Sequence, residues 1–132
     1  MTLSTRAPEN FSLLTWNIDG LDCKNLHPRT METCRLIEAA RVDVVFLQEV
    51  VAASMSVIRS KLSSAYNVLS EENEGYFTAI LLRKFTVKVD RFVHKSFHAR
   101  TVMNRGVDMV HCHIGKARLC LINTHLESTK VR

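Results

Sequence analysis

Asn17, Glu49 and His125 are three side chains whose types and setting suit chemistry on a phosphate ester. Each directly follows a short apolar or β-branched run: Phe11 to Trp16, Val42 to Gln48, and Arg118 to Thr124. A glutamate is an oxygen ligand for a hard cation, an amide both donates and accepts, and an imidazole can donate to a phosphoryl oxygen. If the runs are adjacent buried strands, the three residues stand just beyond the C-terminal strand ends, where open α/β sheets bind ligands. Together they would suit metal-assisted attack on a phosphate. The same types also have plainer uses. Asn17 and Asp19 are favoured turn residues, Gln48-Glu49 can simply leave the core for solvent, and a strand-end His is commonly structural.

The elements that must position these residues are legible from periodicity. Phe11 to Trp16 reads as a buried strand stopped by Asn17, Asp19 and Gly20. Met31, Cys34, Ile37 and Ala40 recur at spacing three, with Pro28 suited to a first turn, so residues 29–40 read as an amphipathic helix. Val42 to Gln48 is a second buried strand. This order predicts a crossover unit with the two strands parallel and their C-terminal ends together. Met55, Ile58 and Leu62 mark a second helix, and Tyr66 to Leu69 a strand that ends in the turn-forming Glu71 to Gly75. Tyr76 to Arg83 and Val87 to His94 follow as strands, and Val107 to Thr124 reads as a hairpin turning at Gly115-Lys116. The whole predicts a mixed α/β sheet with helices on one side.

Composition narrows the class. A chain of 132 residues, 46% hydrophobic and 23% charged, has the make-up of one folded domain at most. Its apolar runs are too short to span a bilayer, and Met1 to Asn10 lack the apolar segment of a secretory signal, so no membrane association is expected. Cys23, Cys34, Cys112 and Cys120 form no zinc-like spacing and read as reduced thiols of an intracellular protein. In His111-Cys112-His113 only the two histidines could share a strand face, so ordinary strand residues and a metal pair both remain open. The net charge of +5 is modest support for a polyanionic partner. Seven cations between Arg83 and Arg105 face only Asp90, a pattern suited to nucleic-acid phosphates or to a solvated strand face.

Four phrases carry a resemblance. Thr15-Trp16-Asn17-Ile18-Asp19-Gly20-Leu21-Asp22, Phe46-Leu47-Gln48-Glu49-Val50 and Thr124-His125-Leu126-Glu127-Ser128-Thr129 resemble three successive motifs of the endonuclease/exonuclease/phosphatase family, in the family's order. Glu74-Gly75-Tyr76-Phe77-Thr78-Ala79-Ile80-Leu81-Leu82 resembles its tyrosyl-DNA phosphodiesterase 2 branch. The resemblance covers Phe11 to Arg132 and implies a four-layer αββα sandwich of the DNase I-like kind, of which this chain is the N-terminal half. It implies Mg²⁺, with Mn²⁺ as a substitute, held by Glu49. Asn17 would orient the nucleophilic machinery, His125 would stabilise the phosphoryl oxygens, and Ser128 would contact the same phosphate. Tyr76 and Arg105 match positions along the bound DNA strand, where Tyr76 either offers its ring to a base or packs.

The implied reaction is hydrolysis of the phosphodiester between a tyrosine and a 5′ DNA end. Its substrates would be topoisomerase II adducts on DNA that is single-stranded near the site, in the nucleus with some cytoplasm. Two later family segments, a Gly-Asp-x-Asn that prepares the attacking water and a Ser-Asp-His, do not occur in these residues. The expected layout is therefore a disordered segment 1–10 and a partial domain 11–132, its open half exposing an apolar face near Phe46 and Leu121 and prone to self-associate. Two other readings stay beside the leading one: a truncated, inactive binding module, and another superfamily nuclease or phosphatase.

Overall fold

The structure, a computed structural model, describes residues 10–97 and 105–126. Nine elements follow in order: β1 (Leu13–Asn17), α1 (Leu26–Ala40), β2 (Val44–Val51), α2 (Ala52–Leu62), β3 (Tyr66–Leu69), β4 (Tyr76–Arg83), β5 (Val87–Ser96), β6 (Gly106–Ile114) and β7 (Ala117–Thr124). The first four strands make one sheet in the order β1-β2-β4-β3, and the last three a second in the order β5-β6-β7. β1 and β2 are parallel, Leu13 opposite Val44 through Asn17 opposite Gln48, with α1 as the crossover. This is the unit predicted from the strand, helix, strand pattern. All other pairings are antiparallel.

Why the central strands read as unbroken apolar runs follows from their burial on both faces. From β2 and β4, Val45, Leu47, Ala79 and Leu81 point to α1 and α2, where Cys34, Ile37, Met55, Ile58 and Leu62 complete one core. The alternate residues Val44, Ile80 and Leu82 point to the second sheet and meet Val110, Cys112, Ile114 and Leu121. Described residues thus form three layers: helices, first sheet, second sheet. The apolar face expected to lie open near Phe46 and Leu121 is closed, because both sheets lie within the described residues. Leu121 is 9% exposed, and Phe46 packs against the same cluster. What stays uncovered is the outer face of the second sheet, where Ile122 is 53% exposed.

β2 runs three residues further than its sequence suggests. Its ladder with β4 shifts between Leu47 and Val50, which pair with Ala79 and Phe77, so Gln48 and Glu49 together oppose the single residue Thr78. That is a β-bulge, and bulges re-aim side chains.

No described helix is long and apolar enough to cross a membrane. The four cysteines are unpaired, Cys34 and Cys112 buried and Cys23 and Cys120 exposed. Burial pushes the Cys34 thiol up to about 11, which removes it as a ready nucleophile. His113 contacts Asp90, and His111 points out from the strand. Among the described residues no group of three or more His, Cys, Asp or Glu is arranged to hold a metal ion. Of the segment expected to be disordered, residues 1–9 lie outside the described residues.

Candidate active site

The bulge places Glu49. Its φ of 54° is left-handed, a conformation that costs a non-glycine residue about 1–3 kcal/mol and persists only where its surroundings enforce it. The enforcing partner is the loop after β1. Gly20 donates its N–H to the Glu49 carbonyl at 2.9 Å, and a Cβ on Gly20 would lie 2.2 Å from that oxygen. Gly20→Ala must therefore push the loop and the bulge apart. It is expected to cost about 1–3 kcal/mol of stability, read by denaturant unfolding of the complete protein; unchanged stability would show that the bulge yields freely.

The same loop is held from α1 by Arg29. Its guanidinium donates to the carbonyls of Ile18 at 3.2 Å, Asp19 at 3.2 Å, Asp22, and Lys24 at 3.1 Å. Asn17, at the end of β1, is set beside β2 by its pairing with Gln48. Its side-chain oxygen accepts the Asp19 N–H at 3.0 Å, a turn-forming contact of the kind short amides favour.

Across from Glu49 stands His125, just past β7, with Nε2 3.7 Å from Glu49 Oε1. That is too long for a hydrogen bond. On the other side of the ring, Arg105 Nη1 lies 2.6 Å from His125 Nδ1. A guanidinium only donates, so Nδ1 accepts and the hydrogen sits on Nε2, on the side of Glu49. Burial and the Arg105 charge hold the His125 pKa below its usual value, against the pull of Glu49, which favours this neutral tautomer. Arg105 is itself 4% exposed and stacks over the Tyr76 ring at 4.9 Å. Tyr76 and His125 rings are 6.5 Å apart. Arg105 is thus a fixed, buried cation and no part of a solvated strand face.

Four of the expected residues, Glu49, Tyr76, Arg105 and His125, therefore form one connected cluster at the strand ends. Asn17 is its neighbour by strand register. Ser128 lies outside the described residues.

Sequence reasoning missed the polar seam beneath this cluster, where Asp108 and Asn123 sit opposite one another on β6 and β7. Asn123 donates to the carbonyls of Leu47 at 3.1 Å and Ala79 at 2.9 Å, and accepts from Gln48 Nε2 at 2.9 Å. Asp108, 1% exposed, accepts from the Thr78 hydroxyl and meets His94 Nδ1 at 2.7 Å. Burial pushes its carboxyl above the usual range, against those two hydrogen bonds. A cavity of about 190 Å³ is bordered by Tyr76, Arg105, His125 and His94.

The donors suit Mg²⁺ better than a metal that needs a full protein cage. Mg²⁺ keeps several waters and takes one or two carboxylates plus substrate phosphate, and here one partly buried carboxylate faces a donor rather than another ligand.

No family model matches the chain. It is 43% identical over 120 residues to human tyrosyl-DNA phosphodiesterase 2, covering 91% of this chain and 33% of that protein. A crystal structure of D. rerio TDP2 complexed with a single-strand DNA product superposes with a TM-score of 0.86 at 34% identity, covering 93% of this chain and 48% of that one. An endonuclease/exonuclease/phosphatase from Bacteroides vulgatus shares the fold, with a TM-score of 0.78 at 19% identity over 89% of this chain and 52% of that one. The chain spans about a third of the length of the curated relatives it matches. Over about nine-tenths of its length the chain is thus similar in both sequence and fold to the tyrosyl-DNA phosphodiesterase 2 proteins, and it shares its fold with the endonuclease/exonuclease/phosphatase neighbour.

Proposed function

We propose that the complete protein hydrolyses the phosphodiester joining a tyrosine to a 5′ DNA end, releasing the tyrosine and leaving a 5′-phosphate. The observation that carries this reading is the contact chain Tyr76, Arg105, His125, with Glu49 facing the imidazole, at the strand ends of a chain 43% identical to a tyrosyl-DNA phosphodiesterase.

Glu49 would hold Mg²⁺, or Mn²⁺ in its place, and the cation would supply positive charge beside the phosphate. His125 donates its Nε2 hydrogen to a phosphoryl oxygen as negative charge builds there. Arg105 selects that tautomer and keeps the neighbourhood positive. Asn17 orients the phosphate from the next strand, Ser128 adds a second contact, and Tyr76 lies along single-stranded DNA. Topoisomerase II adducts are the substrates we assign, with repair in the nucleus and some protein in the cytoplasm.

The test incubates the complete protein with a 5′-phosphotyrosyl single-stranded oligonucleotide and Mg²⁺. A 5′-phosphorylated product is expected, and an unchanged substrate would overturn the reading. Arg105→Lys keeps the charge but loses the planar fork and the stack. It is expected to lower kcat/KM about tenfold; a rate within twofold of the parent would remove Arg105 from the site.

A further inference from the structure

Arg29 stands half-buried in the first turn of α1, and its five side-chain hydrogen bonds all go to main-chain carbonyls of the loop after β1. Nε donates to Lys24 at 3.1 Å, Nη1 to Ile18 and Asp19 at 3.2 Å each, and Nη2 to Asp19 at 3.3 Å and to Asp22. One planar fork thus gathers the carbonyls of four residues between Ile18 and Lys24. A grip on main chain alone fixes the path of the loop, whatever side chains the loop carries.

The same loop is fastened to the bulge of β2 by its N–H groups. Ile18 donates to the Gln48 carbonyl at 3.1 Å and Gly20 to the Glu49 carbonyl at 2.9 Å. Residues 18–20 are therefore strung between the bulge on one side and Arg29 on the other, and two candidate site residues hang on them. The Asn17 side-chain oxygen accepts the Asp19 N–H at 3.0 Å, which orients its amide, and the Gly20 contact holds Glu49 at its left-handed φ of 54°. Asp19 and Asn25 are left-handed as well, at φ 51° and 54°. Such conformations persist in non-glycine residues only where the surroundings enforce them. Arg29 bonds to both, through its side chain to the Asp19 carbonyl and through its main-chain N–H to the Asn25 carbonyl at 3.0 Å.

We infer that Arg29 is a positioning residue for the cation site: by fixing the main chain from Ile18 to Lys24 it holds Asn17 and Glu49 in one arrangement, and so sets the affinity for the divalent cation. It acts through the loop. This rests on the reading of Glu49 as the cation's ligand, and gives a role to a residue that the reaction proposed above does not use. Lysine cannot stand in for it, because an ammonium carries its hydrogens on one atom and cannot span carbonyls that the fork meets from three nitrogens.

The test compares Arg29→Lys and Arg29→Gln in the complete protein with Tyr66→Phe, which removes the 2.8 Å bond from the Tyr66 hydroxyl to the Val42 carbonyl, at the far end of β2 from Glu49. Calorimetric titration with Mg²⁺ alone is expected to show a dissociation constant raised about tenfold in both Arg29 variants, the low end of what partners one step removed from a metal contribute. Tyr66→Phe should bind Mg²⁺ as the parent does. In the metal-free proteins, the Gly20 amide should exchange its hydrogen faster in the Arg29 variants than in the parent, because local opening of the loop becomes easier.

Mg²⁺ affinity within twofold of the parent in both Arg29 variants would make Arg29 a brace of the fold and overturn the inference, whatever the thermal midpoint does. So would an equal loss of affinity in Tyr66→Phe, which would show that cation binding follows stability alone, and so would Gly20 exchange at the parent's rate. Glu49→Gln, titrated beside them, separates this inference from the reading beneath it. If Glu49→Gln binds Mg²⁺ as the parent does, Glu49 is not the ligand and both fall. If Glu49→Gln loses Mg²⁺ while the Arg29 variants keep it, only the role of Arg29 falls.

Discussion

Glu49→Gln in the complete protein is expected to lower kcat on 5′-phosphotyrosyl DNA by at least about a hundredfold, since even partners one step removed from a metal account for 10–100-fold. The substitution preserves shape and removes the charge that a hard cation requires. Mg²⁺ titration should show weakened binding in parallel, while the thermal midpoint stays near that of the parent. The last point separates a site effect from a folding effect. Glu49 occupies a left-handed backbone position at a bulge, and Gln meets the same backbone strain there. Unchanged metal affinity and unchanged turnover would take Glu49 out of the site.

The strain at Glu49 also supports a functional reading. A strand that only needed to continue would place no β-unbranched acid at φ 54° against a glycine that must lack a side chain to fit. Strain of this kind gathers where geometry serves chemistry. Here it turns a carboxylate toward His125, whose hydrogen on Nε2 is fixed in turn by Arg105.

Much of this was legible in the sequence, and the parts that were not share a cause. Val44 to Leu47 and Ala79 to Leu82 announce buried strands because both faces are covered, and α1 announces itself through Cys34 and Ile37. The strand-end positions of Asn17 and His125 followed from those runs, whereas Glu49, expected past a strand end, lies at a bulge inside β2. The bulge did not, because no Gly or Asn marks the left-handed residue; its signature is a register shift against a strand about thirty residues away. Arg29 carried no signal in the sequence, and Arg105, placed by resemblance along the DNA strand and by charge among seven cations, gave no sign of its contact with His125. Their roles come from tertiary contacts with carbonyls in another element and with a ring on another strand. His94 and Asp108 carried no motif at all. The open apolar face expected near Phe46 and Leu121 was wrong for a related reason: strand count alone does not say that β5, β6 and β7 fold back as a separate sheet over the first.

That second sheet is pinned to the first by Asn123, and Asn123→Leu is expected to destabilise the complete protein by about 3–5 kcal/mol. The residue is 2% exposed. Its amide reaches from β7 to the carbonyls of Leu47 and Ala79, beside the place where the β2 and β4 ladder shifts, and takes the Gln48 side-chain hydrogen. Leucine keeps the branch at Cγ and is the bulkier side chain, so no cavity forms and crowding adds to the cost. The loss comes from two buried carbonyls deprived of their amide donor, each costing about 1–3 kcal/mol, and from a half-buried Gln48 amide that loses one of two partners. Gln48 would keep Thr15 at 3.1 Å, which returns part of that cost. The unfolding midpoint should fall by about 10 °C, and activity should fall further than stability alone explains, because Gln48 is the residue that delivers Glu49. Asn123→Asp, which retains acceptors, loses both donors and adds a buried charge, should be worse than Leu. A Leu variant within about 1 kcal/mol of the parent, or an Asp variant more stable than Leu, would show that apolar packing between Val110, Leu121 and the first sheet holds the layers together without this pin.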